Sequence, residues 1–342
     1  MQKLWYYLLR SYVQVGLFFF YQKIIVRGYD ALPRGPILFM PNHQNAFMDA
    51  LVVVCTNHRS THFLARADIF QKKWARFLLQ SMQLLPVYRM RDGFEKLGQN
   101  QQTFDRVSSI FARGDSVIIF PEGNHGWQRR LRPLSKGFTR LIIDFLHKYP
   151  GQTLHVVPVG LNYSSPTAFR SSVCVIYGEA LSITSLATEE IKQAGLWREQ
   201  ISQRLKRIIT HVEDATRYDE VIQAIQATPE EYLHPEKINV RIKQVEEGLP
   251  VGSVLPIKKP QTSVLYLLWQ VIHGPVLLIW KMFRQKIKDP VFIASLKFVT
   301  GLFLFPLYFA ILLLAGWSVG FTGVGLGIIL VSLLLTLLIK LS

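Results

Sequence analysis

A histidine and a carboxylate stand six positions apart in Pro41-Asn42-His43-Gln44-Asn45-Ala46-Phe47-Met48-Asp49, directly after the apolar run Pro36 to Met40. Histidine as a residue type, with a reference pKa of ~6.5, suits the work of a general base at neutral pH. A carboxylate one to two turns further on can fix the imidazole tautomer and stabilise the imidazolium as it forms. The alternative for such a pair alone is a surface or capping role. A second cluster, Phe120-Pro121-Glu122-Gly123-Asn124-His125, follows another apolar run and leads into Leu131-Arg132-Pro133-Leu134-Ser135-Lys136-Gly137. Its Pro-Glu-Gly turn brings backbone and a carboxylate close to a ligand, and Arg129, Arg130, Arg132 and Lys136 can meet an anionic substrate or carrier. A third, Leu85-Pro86-Val87-Tyr88-Arg89-Met90-Arg91-Asp92-Gly93, sets cations past a further apolar run. For the last two the plain alternative is a turn with solvated charges.

These motifs need a frame that brings them together. The runs at 36–40, 61–66, 84–89, 116–120, 155–163 and 172–181 read as strands, several apolar throughout, as in a sheet covered on both faces. The pieces between them, including AFMDALVVVCTN and GFTRLIIDFLHKY, read as helices. Alternation of this kind predicts an α/β domain over residues 31–185, with a mixed, largely parallel sheet flanked by helices. Ligands in such sheets bind at the carboxyl ends of the strands, where all three motifs fall. Residues 186–260 read as a charged helical extension that ends in a linker at 248–261.

Taken in order, NHQNAFMD, PVYRMRDG, FPEGNH with LRPLSKG, and VVPVG resemble the glycerolipid acyltransferase family, whose members include glycerol-3-phosphate and lysophosphatidate acyltransferases. The resemblance covers residues 30–185 and implies direct acyl transfer from a thioester to a hydroxyl, without a covalent enzyme intermediate or a metal. It implies His43 as general base and Asp49 as its orienting partner. Asn42, Arg89, Arg91, Glu122, Gly123, Asn124, His125, Arg129, Arg130 and Lys136 are the expected acceptor-binding residues, and Pro158 shapes the acyl pocket. A backbone N–H near Gly123 is the candidate oxyanion donor. No cofactor is expected; acyl-CoA or an acyl carrier protein thioester is the co-substrate, and a lysolipid the acceptor. Two departures stand out. Five residues separate His43 from Asp49 where the family has four, and Glu-Gly-Thr-Arg becomes Glu122-Gly123-Asn124-His125. Loss of that arginine points either to compensation by Arg129 or Arg130 or to an acceptor without phosphate, such as a lyso-aminolipid.

A lipid acceptor agrees with the rest of the chain. Residues 298–339 are 42 consecutive positions without a charge, about 63 Å of helix at ~1.5 Å per residue, which is twice a bilayer core. A transmembrane hairpin turning at 316–320 is predicted, with Lys297 and Lys340 on one side. Residues 263–280, flanked by basic residues and broken at Gly274-Pro275, read as a re-entrant or in-plane helical pair within an anchor spanning 261–342. Residues 1–30 lack a signal-peptide pattern and read as a helix lying in the membrane interface, with a core helix as the alternative. The positive-inside rule places the catalytic domain on the cytoplasmic face, of the bacterial inner membrane or, in a eukaryote, the endoplasmic reticulum.

With 39 Lys and Arg against 23 Asp and Glu the chain carries +16, suited to anionic lipid or an acidic carrier; the anchor argues against nucleic acid. Cys55 and Cys174 are too few for a disulfide framework and read as buried thiols in a reducing compartment. Cys55, His58 and His62 have zinc-like spacing but want a fourth ligand, so a buried thiol beside surface histidines is preferred. A catalytically silent lipid-binding protein on the same fold is the rival reading.

Overall fold

The computed structural model describes residues 2–88, 98, 100–186, 190–249 and 264–341. Arg89, Arg91, Ser263 and most of the 248–261 linker lie outside the described residues. The order is α1 (Gln2–Phe20), β1 (Lys23–Arg27), β2 (Ile37–Pro41), α2 (Ala46–Thr56), β3 (Thr61–Arg66), α3 (Lys73–Ser81) and β4 (Leu84–Val87). Then come α4 (Asn100–Ala112), β5 (Ser116–Ile118), α5 (Gly137–Lys148), β6 (Leu154–Tyr163), β7 (Ser172–Tyr177) and β8 (Leu181–Ile183). The helical extension is α6 (Glu190–Ile208), α7 (Tyr218–Ile225) and α8 (Pro235–Glu246). The segment expected to be the anchor is α9 (Val264–Ile272), α10 (Gly274–Arg284), α11 (Ile293–Ser318) and α12 (Thr322–Leu341).

The sheet runs β1-β7-β6-β2-β5-β3-β4, with β8 on β6. Strands β6, β2, β5, β3 and β4 are mutually parallel, so their carboxyl ends share one edge. β7 is antiparallel to β6, which makes the sheet mixed and largely parallel, as predicted. Alternation along β2 explains the two-sided core. Ile37 and Phe39 face a layer containing α1 and α2, while Leu38 and Met40 face α4, α5 and α6.

Two boundaries differ from the sequence reading. Lys23–Arg27 belongs to the sheet, as a strand paired in parallel with β7, so the N-terminal helical motif ends at Phe20. Its five residues include Lys23 and Arg27 at the two ends, and a charged edge strand leaves little apolar pattern to read. The run 172–181 is divided into β7 and β8, both antiparallel to β6: the Gly178 N–H still donates to the Pro158 carbonyl at 2.9 Å, but one extra residue before Leu181 interrupts the pairing.

The end of α6 crosses β6 at Gly160. A Cβ there would lie 2.2 Å from the Ile208 carbonyl oxygen, which also accepts from Asn162 Nδ2 at 2.9 Å. Both sides of that contact are backbone and neither can swing aside. Gly160→Ala is therefore expected to destabilise by about 1–3 kcal/mol through overpacking, read as a lowered thermal midpoint in detergent. An unchanged midpoint would show that the crossing has slack.

The anchor holds two helical stretches long and apolar enough to cross a membrane, Pro290–Ser318 and Thr322–Leu341. They form a hairpin whose turn includes Gly320 at φ 75°. The helices approach closely at Gly325, where a Cβ would sit 2.7 Å from the Leu312 carbonyl. Lys297 Nζ bonds the Thr167 carbonyl at 3.0 Å and Lys340 Nζ the Tyr21 carbonyl at 2.8 Å, so both lysines meet the α/β domain. α9 and α10 are bent by 82°, with Pro275 opening the second helix. His273 Nε2 and Ser332 Oγ, 2.6 Å apart, tie this pair to α12. α1 has a buried apolar face and an exposed apolar face. Its Tyr6, Val13, Leu17 and Phe20 are buried, while Leu4, Trp5, Leu8 and Phe18 are exposed.

Candidate active site

The chain leaves β2 at Pro41 and must turn within four residues to begin α2 at Ala46. Asn42 fixes the start of the turn: its Nδ2 donates to the Leu161 carbonyl at 3.2 Å and its Oδ1 accepts the Leu161 N–H at 2.7 Å. With both amide ends on β6 backbone, Asn42 is a splice rather than a group aimed at substrate. The turn closes through Ala46, a non-glycine residue at φ 42°, where the loop with its additional residue folds back.

That path brings His43 Nδ1 to 2.9 Å from Asp49 Oδ2. Asp49 is 0 % exposed, and its other partners fill it: Oδ2 accepts the Asn45 N–H at 2.7 Å and Oδ1 the Tyr163 hydroxyl at 2.6 Å. Three donors on one carboxylate compensate a charge that burial alone would make costly. An ionised carboxylate only accepts, so the Nδ1 proton of a neutral His43 is on the Asp49 side and the Nε2 lone pair is free. The imidazole stacks on Phe120 at 4.0 Å and keeps 15 % of its side-chain surface open. This arrangement can accept a proton from a hydroxyl presented at Nε2.

Glu122 braces the same loop. Its Oε1 accepts the His43 N–H at 2.8 Å, and its Oε2 accepts Arg132 Nε at 2.7 Å and the Arg132 N–H at 3.2 Å. Burial pushes the Glu122 carboxyl above its ordinary value, and the Arg132 guanidinium and three hydrogen bonds pull it partly back. Arg132 also donates to the carbonyls of His125, at 2.7 Å, and Asn124. The Gly126 N–H closes the ring on the His43 carbonyl at 3.0 Å. The loops after β2 and β5 thus form one hydrogen-bonded unit. Gly123, at φ 69°, supplies the turn, but its N–H donates to the Phe120 carbonyl at 3.1 Å and is not available as an oxyanion donor.

His125 stands edge-on to His43 with ring centroids 5.7 Å apart. Its other neighbours come from the anchor: Asp289 Oδ2 lies 3.6 Å from Nε2, and the Phe292 ring packs edge-on at 4.8 Å. Burial and the facing His43 lower the His125 pKa, and Asp289 opposes them. Ser295, in the first turn of α11, bonds the Asn45 carbonyl at 3.4 Å and the Met48 N–H at 3.3 Å. The C-terminal helical segment therefore walls the site and holds the start of the helix that carries Asp49.

Two expected residues are not brought to this cluster, and a third meets it only through its backbone. Arg129 is turned inward, its guanidinium on the Tyr163 and Ser164 carbonyls at 2.8 and 3.2 Å and over the Tyr232 ring at 3.7 Å. Burial lowers its pKa to about 10. It ties β6 to the helical extension. Pro158 pairs with Met40 and lies on the sheet face opposite Phe39 and Val159, where its ring meets Gly178 beneath Ile208. That is not the face of the His43–Asp49 pair. Asn124 offers its carbonyl to Arg132, a structural contact. Lys136 is exposed beside Ser135, whose N–H bonds Pro121 at 2.7 Å, so it and the half-buried Arg130 remain candidates for head-group contact. Sequence reasoning missed Tyr163, whose placement at the carboxyl end of the strand beside β2 was the available signal. For Asp289, Phe292 and Ser295 no local signal existed.

Residues 23–162 match the family model described as Acyltransferase. The chain is 30% identical over 152 residues to Glycerol-3-phosphate O-acyltransferase 2 of Saccharomyces cerevisiae, covering 43% of this chain and 20% of that protein. It is 25% identical over 138 residues to the chloroplastic 1-acyl-sn-glycerol-3-phosphate acyltransferase BAT2 of Brassica napus, covering 40% of this chain and 38% of the relative. The match thus spans well under half the length of these curated relatives. Among solved structures, the 1-acyl-sn-glycerophosphate acyltransferase PlsC from Thermotoga maritima aligns with a TM-score of 0.43 and 15% identity, over 60% of this chain and 79% of that one. The matched region encloses His43, Asp49 and the Glu122 turn, so residues 23–162 form an acyltransferase domain similar to those of the glycerolipid acyltransferases named above.

Proposed function

We propose that the protein is a membrane-bound O-acyltransferase that moves a fatty acyl group from an acyl-CoA or acyl carrier protein thioester to the hydroxyl of a lysolipid. The observation that carries this reading is the 2.9 Å His43–Asp49 contact, with the carboxylate wholly buried and its remaining bonds fixed by Asn45 and Tyr163. In the proposed reaction His43 Nε2 removes the acceptor proton as its oxygen attacks the thioester carbonyl. Asp49 holds the ring and stabilises the imidazolium, and the tetrahedral intermediate collapses with loss of the thiol, which takes up the proton. The site lies against the first turn of α11, where a lipid acceptor arrives from the bilayer. We place the domain on the cytoplasmic face, because Lys297, Lys340 and the basic segments flanking the hairpin stay on its side.

The favoured acceptor has a glycerol phosphate backbone, lysophosphatidate or glycerol 3-phosphate, as the named relatives suggest. A lyso-aminolipid acceptor has one observation in its favour: where the family carries an arginine, His125 stands beside the Asp289 carboxylate. The deciding experiment offers each donor with lysophosphatidate, glycerol 3-phosphate and an N-acyl amino acid to the purified protein. Product from a phosphate-bearing acceptor is the expected result. Product from the N-acyl amino acid alone would replace it, and none from any pair would favour a lipid-binding protein.

A further inference from the structure

α3 carries apolar side chains on two sides, and the fold uses only one. Leu79 and Met82 pack on the core and Phe70, just before the helix, is buried, which meets the fold's need. On the outer side Trp74 is 67% exposed and Phe77 78%, with Leu78 beside them at the i+4 position of a helical face. Lys72 and Lys73 are exposed at the start of the helix, and Arg76 follows with its Nε on the Phe70 carbonyl at 3.2 Å. Two exposed aromatics flanked by lysines have the composition of a helix lying in a lipid interface.

The neighbours of α3 fix the depth. Trp5 Nε1 donates to Ser81 Oγ at 3.2 Å, pinning the end of α3 to α1, where Leu4 and Leu8 are exposed as well. α1 in turn runs along the first span. Its Phe20 packs on Phe298 at 5.5 Å, Gly16 leaves room for Leu302, and the Tyr12 hydroxyl bonds the Leu302 carbonyl, one turn further into α11. Going back along α1 from Phe20 to Tyr12 therefore leads toward the bilayer, and α3 lies beyond, beside Trp5.

We propose that α3 is a membrane-embedded element: it lies in the leaflet the hairpin enters, with Trp74 and Phe77 among the acyl chains and Lys72 and Lys73 at anionic head groups. α1, α3 and α11 then form one continuous lipid-facing surface, and the α/β domain sits on the bilayer through three helices rather than hanging from the hairpin. The inference does not depend on which acceptor is acylated.

The test uses the full chain in vesicles of phosphatidylcholine with phosphatidylglycerol. A nitroxide at Phe77→Cys, in a background with Cys55 and Cys174 replaced, is expected to collide with oxygen in preference to a water-soluble nickel complex. The ratio should be several-fold above that of a label at Lys237→Cys on exposed α8 and approach that of one at Ile311→Cys in the span. Nickel accessibility equal to that at position 237 would overturn the proposal, as would an immobilised label reached by neither reagent, the sign of a protein partner or a second copy. A measurement without cysteine changes guards against misfolding. Trp74→Phe should remove part of the tryptophan quenching by lipids brominated near the head group, and unchanged quenching would refute the insertion.

Discussion

His43→Ala is expected to lower the acyl-transfer rate by ~10²–10⁴-fold, the usual contribution of a positioned general base. The variant should remain folded, because what His43 gives the loop is mainly backbone: its N–H bonds Glu122 and its carbonyl accepts from Gly126, and both survive in alanine. The effect should fall on the rate at saturating acceptor rather than on acceptor affinity, since the ring acts on the transferring proton. Asp49→Asn should be nearly as damaging for a different reason. With its oxygen on the Tyr163 hydroxyl, the amide turns its NH₂ to Nδ1, which selects the tautomer that carries its proton on Nε2 and cannot act as base, and the Asn45 N–H loses the acceptor it shared with His43. Tyr163→Phe removes one of the three donors and should cost far less. Initial rates of the three variants, with thermal melts to confirm folding, check the ranking. Full activity in His43→Ala would overturn the general-base assignment and leave the lipid-binding reading.

The legible parts of this molecule were those set by local pattern. Strand β3 was read to the residue, the sheet's parallel character followed from apolar runs separated by helices, and the hairpin was visible in an uncharged stretch twice the bilayer's thickness. His43 and Asp49 could be paired because both lie within one loop and one helical turn. Direction was harder to read than position. Asn42, Arg129 and Pro158 lie close in sequence to groups at the site, yet packing turns Asn42 onto Leu161, Arg129 under Tyr232 and Pro158 to the far face of the sheet. A strand's two-residue period places Pro158 opposite Val157 and Val159, and that alone argues against the His43 face. Asp289 is 164 positions from His125 and Ser295 is 250 from Asn45, and nothing in the sequence announces so distant a pairing. The basic cluster was read as a substrate field because charge was counted without partners. Arg132 proves to be committed to Glu122 and two carbonyls.

That commitment sets the second large effect. Glu122→Ala deletes the acceptor of three donors at once: the His43 N–H, the Arg132 N–H and Arg132 Nε. Breaking a buried pair from one side costs about 3–5 kcal/mol, and the lower end is expected because Arg132 is partly exposed and keeps its two carbonyls. At ~3 kcal/mol the thermal midpoint should fall by roughly 6–12 °C. The rate should fall too, on the order of 10²-fold, because the His43 loop loses the tie that fixes the base. Glu122→Gln separates charge from connection. Burial outweighs Arg132 in raising this carboxyl, so the native state binds its proton more tightly than the unfolded chain does. By linkage its contribution to stability is then largest when it is protonated and falls as pH rises from the ordinary glutamate range through the raised value. A neutral glutamine carries no buried charge and its oxygen still accepts from Arg132, while its NH₂ meets the His43 N–H, so its midpoint should lie below wild type but nearer to it than that of alanine. If Glu122→Ala melts like wild type but transfers no acyl group, the carboxylate acts on substrate and the bracing role is wrong. If stability and rate fall together while glutamine restores part of the stability, Glu122 holds the loop on which His43 works.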